Sequence, residues 1–332
     1  MEYDQVKVFI NLINPWIIAF FTFLTGFLFL WMRNKRIRSV NKNKLEYANG
    51  LLNNNSFKEA LDKYDELLIN ISSKYDSKIY GDIYNNKGNS YLKLSKTNCK
   101  EENLFKAIQC YEEALKVRSH KKYQYKFAKT YNNLGCAYSN LATIREKELH
   151  LNNAIQAHKE SLKVHTIDKY PFDYATAQNN LGNDYVAIAE VQNKEEHLVK
   201  AIRAFQEVLK VFKIEKYPFD FASTKNNLGN AYRVLAGVPE ILDKDDILTN
   251  AVNAFNEAHI IFTPEKYPRY YAMTQMNLGI TYASFSKKQV KIKNLNKAIC
   301  YFNSALSIYS FENYLDIPVI LTPHSGHIDP PL

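Results

Sequence analysis

From Val8 to Met32 the chain carries no charged residue, reading VFINLINPWIIAFFTFLTGFLFLWM. Apolar side chains would cover every face of a helix built on this run. At about 20 residues such a helix spans a bilayer core, so residues 8–32 are expected to form a single transmembrane helix. Asn14 and Pro15 suit its start, Asn as a cap and Pro in the first turn. Trp16 and Trp31, the only two tryptophans, stand near its two ends, where amphipathic rings settle at a membrane interface. A cleaved leader fits less well: the run is long, no basic stretch precedes it, and no small-x-small site precedes Arg33. Arg33, Lys35, Arg36 and Arg38 head the flank RNKRIRSVNKNK, which has no acid, whereas MEYDQVK on the other side has two. The positive-inside rule therefore places residues 1–7 outside and the rest of the chain in the cytoplasm.

After this run the pattern becomes amphipathic and periodic. YNNKGNSY returns as YNNLGCAY, QNNLGNDY, KNNLGNAY and QMNLGITY, with glycines at Gly88, Gly135, Gly182, Gly229 and Gly279. A second block runs in step, LFKAIQCYEEAL to LNKAICYFNSAL, with alanines at Ala107, Ala154, Ala201, Ala251 and Ala298. The period is 47 residues except for one step of 50, and the extra residues fall in GVPEILDKDD, whose Gly and Pro mark a loop. Tyr170-Pro171, Tyr217-Pro218 and Tyr267-Pro268 open units, with Pro in the first turn of a helix. Each unit thus predicts two helices, Leu-Gly-x-x-Tyr on the first and Ala-x-x-x-aromatic-x-x-small on the second. The small residues share a face and let neighbouring helices approach. A shorter unit, with Ala48, Ala60 and Tyr64, comes first, giving about six helix pairs over 44–311.

An L-G-x-x-Y helix followed by an A-x-x-x-F-x-x-A helix resembles the tetratricopeptide repeat (TPR) family. The form is similar to long prokaryotic TPR units, and the NNLG strings resemble the NNLA strings of kinesin light chain. The Gly-to-Ala interval exceeds that of the basic unit, which places the extra length in the first helix. The resemblance implies an all-α fold, a right-handed superhelical TPR solenoid behind the single transmembrane helix. It also implies a concave groove lined by the first helices and filled by a protein or extended peptide. Asn86, Asn133, Asn180, Asn227 and Asn277, each two residues before its glycine, are the residues that would clamp a peptide main chain, with Asn89 beside them. Local bonding between helices, or plain Asn-rich composition, accounts for the same ladder, since Asn85, Asn132, Asn179 and Asn226 adjoin it. Asn89 and Asn133 also match part of a clamp for C-terminal carboxylates, but Asn85 and Thr176 stand where that clamp has lysine.

Composition narrows this. Net charge is +9, yet seven Lys/Arg against two acids fall in residues 1–44, so +4 is left for the rest. No basic stripe marks a nucleic-acid partner. No nucleotide, metal or nucleophile motif appears, so no cofactor, small-molecule substrate or enzymatic activity is expected. Cys99, Cys110, Cys136 and Cys300 show no metal spacing and read as free thiols, Cys110 and Cys300 on amphipathic helices as small buried hydrophobes. The organisation expected is a short extracytoplasmic end (1–7), a membrane helix (8–32), a basic juxtamembrane linker (33–43), the solenoid (44–311) and a Pro-rich tail (312–332). In that tail His324 and His327 read as incidental, and Ile317, Val319, Ile320 and Leu321 either fold over the last repeat or leave its edge to a partner; a truncated reading frame fits as well. The function expected is a membrane-anchored interaction scaffold. The alternatives are a fixed subunit of a membrane or envelope complex, or a regulator of an associated enzyme.

Overall fold

A computed structural model describes the backbone of residues 2–71, 74, 76–97, 99–119, 121–285 and 291–311; the side chains of 2–16, 18, 310 and 311 lie outside the description. The tail at 312–332 is also outside it. Among the described residues there are twelve α-helices and no strand. They are α1 (Glu2–Asn53), α2 (Phe57–Leu68), α3 (Ser77–Leu94), α4 (Lys100–Val117), α5 (Gln124–Leu141), α6 (Lys147–Leu162), α7 (Pro171–Ile188), α8 (Lys194–Val211), α9 (Pro218–Ala236), α10 (Lys244–His259), α11 (Pro268–Ser284) and α12 (Lys291–Phe311). Consecutive helices form six hairpins, the first made by the end of α1 with α2. From α3 to α10 the helices run 16 to 19 residues, so the extra length of the long unit is shared by both helices rather than confined to the first.

The N-terminus departs from the sequence expectation. α1 is one helix of 52 residues, about 78 Å at 1.5 Å per residue. It does not start at Asn14: Pro15 lies inside it, removing one intrahelical hydrogen bond without ending it. It also runs unbroken through 33–43, where no Gly or Pro interrupts the helix formers, so the basic juxtamembrane stretch is helical. Among the described residues no helix is long and apolar enough to cross a membrane. The first part of the charge-free run, Trp16 included, has its side chains outside the described residues. Ile17 and residues 19–32 are exposed.

The repeat positions explain the packing. Gly88, Gly182, Gly229 and Gly279 lie flat against Tyr111, Phe205, Phe255 and Phe302, and a Cβ on any of them would come within 2.5 to 2.7 Å of the ring. These helices therefore tolerate glycine mid-helix, despite its cost of about 1 kcal/mol, because only glycine admits the ring. Ala107, Ala154, Ala201, Ala251 and Ala298 are buried on the facing helices. The Pro at the start of α7, α9 and α11 follows an extended Tyr cap, and each Tyr packs on aromatic neighbours, Tyr217 for example on Phe172 and Phe212. Three second helices begin after a residue of positive φ: Cys99 (41°), Glu146 (46°) and Asn193 (41°). The longer loop before α10 replaces that turn, and Asp243 there has φ −93°.

Candidate functional site in the inner groove

Concavity follows from which helices meet. Each first helix touches the next first helix, from α1–α3 through α9–α11, whereas no two second helices meet among the described residues. The first helices are therefore crowded on the inner side, and the groove runs along their seam.

The asparagine ladder lies on that seam and is bonded along it. Asn86 donates its amide to Asn49 (2.8 Å), Asn133 to Asn89 (3.0 Å), Asn180 to Asn132 (3.3 Å), Asn227 to Asn179 (3.4 Å) and Asn277 to Asn226 (3.3 Å). Each bond joins one repeat to the one before. In the last three bonds the acceptor is the asparagine adjacent to the preceding ladder position, Asn132, Asn179 or Asn226; Asn85 and Asn226 accept from Thr130 and Thr274. Abundance of Asn is thus explained by repeat-to-repeat bonding, a role that composition alone conceals. Among the described residues no protein donor reaches Oδ1 of Asn133, Asn180, Asn227 or Asn277, so the half-buried ladder presents acceptors to the groove. Asn89 differs, because its Oδ1 already takes Tyr111 Oη–H (2.9 Å) and Asn133.

One place in the groove breaks the repeat. Tyr64, Tyr111, Phe205, Phe255 and Phe302 share a register position, and the third repeat has His158 there, packed on Gly135. The next repeat has Asp184 where its neighbours have Ala137 and Ala231. These two departures meet: His158 Nε2 stands 3.3 Å from Asp184 Oδ2, and Ser139 Oγ is 2.6 Å from Asp184 Oδ1. Both are almost fully buried, at 0% and 1% exposure. Burial pulls the imidazole down to about 3 and raises the carboxyl well above the usual range, only partly offset by Ser139. Both shifts favour the uncharged forms, so burial works against an ion pair here. Both imidazole nitrogens and Asp184 Oδ2 lack a hydrogen bond of good geometry.

An imidazole is shorter than a phenol, and Cys136 replaces the asparagine that a tyrosine hydroxyl would reach. A cavity of about 70 Å³ results, opening between Asn133 and Asn180 and floored by His158, Asp184 and Cys136. Burial pushes the Cys136 thiol up to about 12, so it is no nucleophile. Ser139 contacts the carboxyl rather than the imidazole, so the hydroxyl has no adjacent base. Among the described residues no three His, Cys, Asp or Glu side chains are placed to hold a metal ion. Cys99 and Cys300 are exposed and Cys110 is buried; Cys300 thus faces solvent, against the sequence expectation, because among the described residues α12 packs against α11 alone. Asn85 is buried within the seam, and Thr176 is half-buried and bonded to its own helix, so neither supplies the missing cations of a carboxylate clamp.

Leu-Gly-x-x-Tyr helices, each with its glycine against the ring of its partner helix, recur along the array. The helix pairs are TPR-like. No family model matches the chain, and no curated protein matches it. Among solved structures, the C-terminal part of a TPR repeat-containing protein from Cytophaga hutchinsonii is 16% identical, covering 82% of this chain and 100% of that one at a TM-score of 0.38. Outside the TPR-like region, Trp31 is exposed with Lys35 Nζ 5.1 Å from its ring centre, Arg33 and Arg36 are exposed, and Arg38 pairs with Asp76 at 3.5 Å.

Proposed function

We propose that the chain is a membrane-tethered scaffold whose groove holds an extended segment of a partner protein. The observation that carries this is the row of Oδ1 atoms on Asn133, Asn180, Asn227 and Asn277, fixed by amide bonds to the preceding repeat. Pre-set acceptors on a concave surface suit the N–H groups of an extended backbone and cost little to order. The second amide N–H of Asn133, Asn227 and Asn277 would add donors for the carbonyls of the same backbone. For the tether, support comes from the exposed phenylalanines and leucines on every face of α1, including Phe20, Phe23, Phe27 and Leu30, followed by a basic cluster that suits the cytoplasmic side. Because α1 continues into the first repeat, tether and groove would share one rigid helix.

Two measurements on the full chain test this. Membranes washed in alkaline carbonate should retain it; release into the wash would exclude a spanning helix. Asn133, Asn180 and Asn227→Ala together should abolish capture of the partner with the helical content intact, and capture that survives would remove the clamp. The fixed-subunit reading has one observation in its favour, the exposed Ile292, Leu295, Ile299 and Leu306 on α12. A fixed subunit should co-purify stoichiometrically with its partner after detergent extraction, whereas reversible capture leaves a monomer.

A further inference from the structure

We propose that the cavity between Asn133 and Asn180 is a subsite for one cationic side chain, lysine or arginine, of the segment held in the groove. Its occupant rests on the groove reading above; its chemistry does not. Two columns depart here together, an aromatic to His158 and a small residue (Ser90, Ala137, Ala231 or Thr281) to Asp184, and the two replacements face each other across the interface of consecutive repeats. A buried polar pair of this kind is commonly less stable than the apolar packing it replaces. The third and fourth repeats thus forgo the ring that the others use.

What the cavity asks for follows from which atoms are already committed. Several of its donors are engaged, Asn133 Nδ2 with Asn89, Asn180 Nδ2 with Asn132 and Cys136, and Ser139 Oγ with Gly135 O and Asp184, while Asn133 keeps a second N–H, a neutral His158 keeps one ring N–H, and Lys93 and Lys96 stand in the lining. The acceptors left are Asp184 Oδ2, a ring nitrogen of His158 and the Oδ1 atoms of Asn133 and Asn180. Acceptors converge on the floor, with one acid among them. A carboxylate would stand against the Asp184 carboxyl and the amide oxygens, and an apolar group would leave them desolvated and unbonded. An ammonium or guanidinium offers donors alone, and gives Asp184 the counter-charge that no described side chain supplies at its carboxyl. Leu92 beside the mouth would take the aliphatic stem, and about 70 Å³ accommodates the head group. The titratable groups facing Asp184 are His158 from α6, Cys136 from α5, and Lys93 and Lys96 from α3 at the rim. Lys96 is solvent-exposed, where its repulsion is screened. A cation favours the Asp184 carboxylate over the carboxyl, so its binding should tighten as pH rises.

The test uses the full chain in detergent micelles with ¹⁵N-labelled histidine, and four probes at matched ionic strength: methylammonium, methylguanidinium, acetamide and acetate. His158→Phe identifies the His158 resonances. Both cations should shift those resonances saturably, more tightly at pH 8 than at pH 6, and about tenfold or more weakly in Asp184→Asn. Acetamide and acetate should leave them in place. The proposal is overturned if neither cation shifts them, if acetamide or acetate does so equally, or if Asp184→Asn binds the cations unchanged. Should Asp184→Asn not fold, Asp184→Ala, matching Ala137 and Ala231, meets the same criterion. Cation binding in a protein that captures no partner would count against the groove reading alone, and partner capture without cation binding against the subsite alone.

Discussion

Between the fourth and fifth repeats, Phe205 lies on Gly182 in one apolar cluster with Leu228 and Ala231, all of them buried. Between the third and fourth, the equivalent positions hold His158, Gly135 and Asp184. A second register position follows the same divide. It is Phe212 and Phe262 in the fourth and fifth repeats but Arg118 and His165 in the second and third, with Ile71 in the first, and Arg118 is bonded to Thr130 and to Asp82 at 2.6 Å. The backbone is alike in both halves, so the difference lies in what fills it. An apolar ring recovers about 25 cal/mol per Å² of surface removed from water, while a buried polar cluster mostly recovers its own desolvation. The later repeats should hold the array together, and the earlier ones should hold chemistry.

The largest test of that contrast is truncation. Phe205→Ala should cost about 3 to 5 kcal/mol, read from the denaturant midpoint, because a fully buried ring leaves a cavity on Gly182. His158→Ala, beside an existing cavity, should cost clearly less; equal losses would erase the distinction. Restoring the repeat pattern with His158→Phe and Asp184→Ala together should stabilise by about 1 to 4 kcal/mol. A destabilised double variant would show that the polar pair is itself structural.

The same pair predicts opposite pH dependences. His158 is lowered to about 3 in the folded state, so the unfolded chain binds its proton first and stability falls as pH drops from about 6.5 to 3. Asp184 is raised, so its contribution is fully present below the unfolded value near 3.8 and is lost as pH climbs through the folded value. Melting temperature against pH should therefore lose its acid-side fall in His158→Phe and its rise-dependent loss in Asp184→Ala. Gly182→Ala should cost about 1 to 3 kcal/mol, since a Cβ would stand 2.6 Å from Phe205. Smallest is Glu146→Gly, which relieves a φ of 46° and should gain up to about 1 kcal/mol by thermal melting. Asn193→Gly should gain less, as Asn tolerates that region.

Much of the fold was legible in the sequence because the repeat writes the same packing five times over. Leu, Gly, Ala and the aromatic each recur at one spacing, and a spacing of this kind can only be satisfied by stacked hairpins. The unbroken α1 was less legible: Asn14-Pro15 carries a local start signal that the surrounding helix overrides. Of the site, the ladder was visible as a column of asparagines, but its bonding was not. Which amide atom is committed depends on the offset between repeats, and no single repeat encodes that. His158 and Asp184 were in plain view as departures from their columns. Their meeting was hidden because they lie on different helices of different repeats, 26 residues apart.

Photo-crosslinking in intact membranes tests the groove most directly. A photoreactive residue placed at Lys96 or Asn140, on the inner side, should capture a partner polypeptide, while one at Gln156 or Gln206, exposed on second helices, should not. Capture from Gln156 and Gln206 with none from Lys96 or Asn140 would contradict a binding groove.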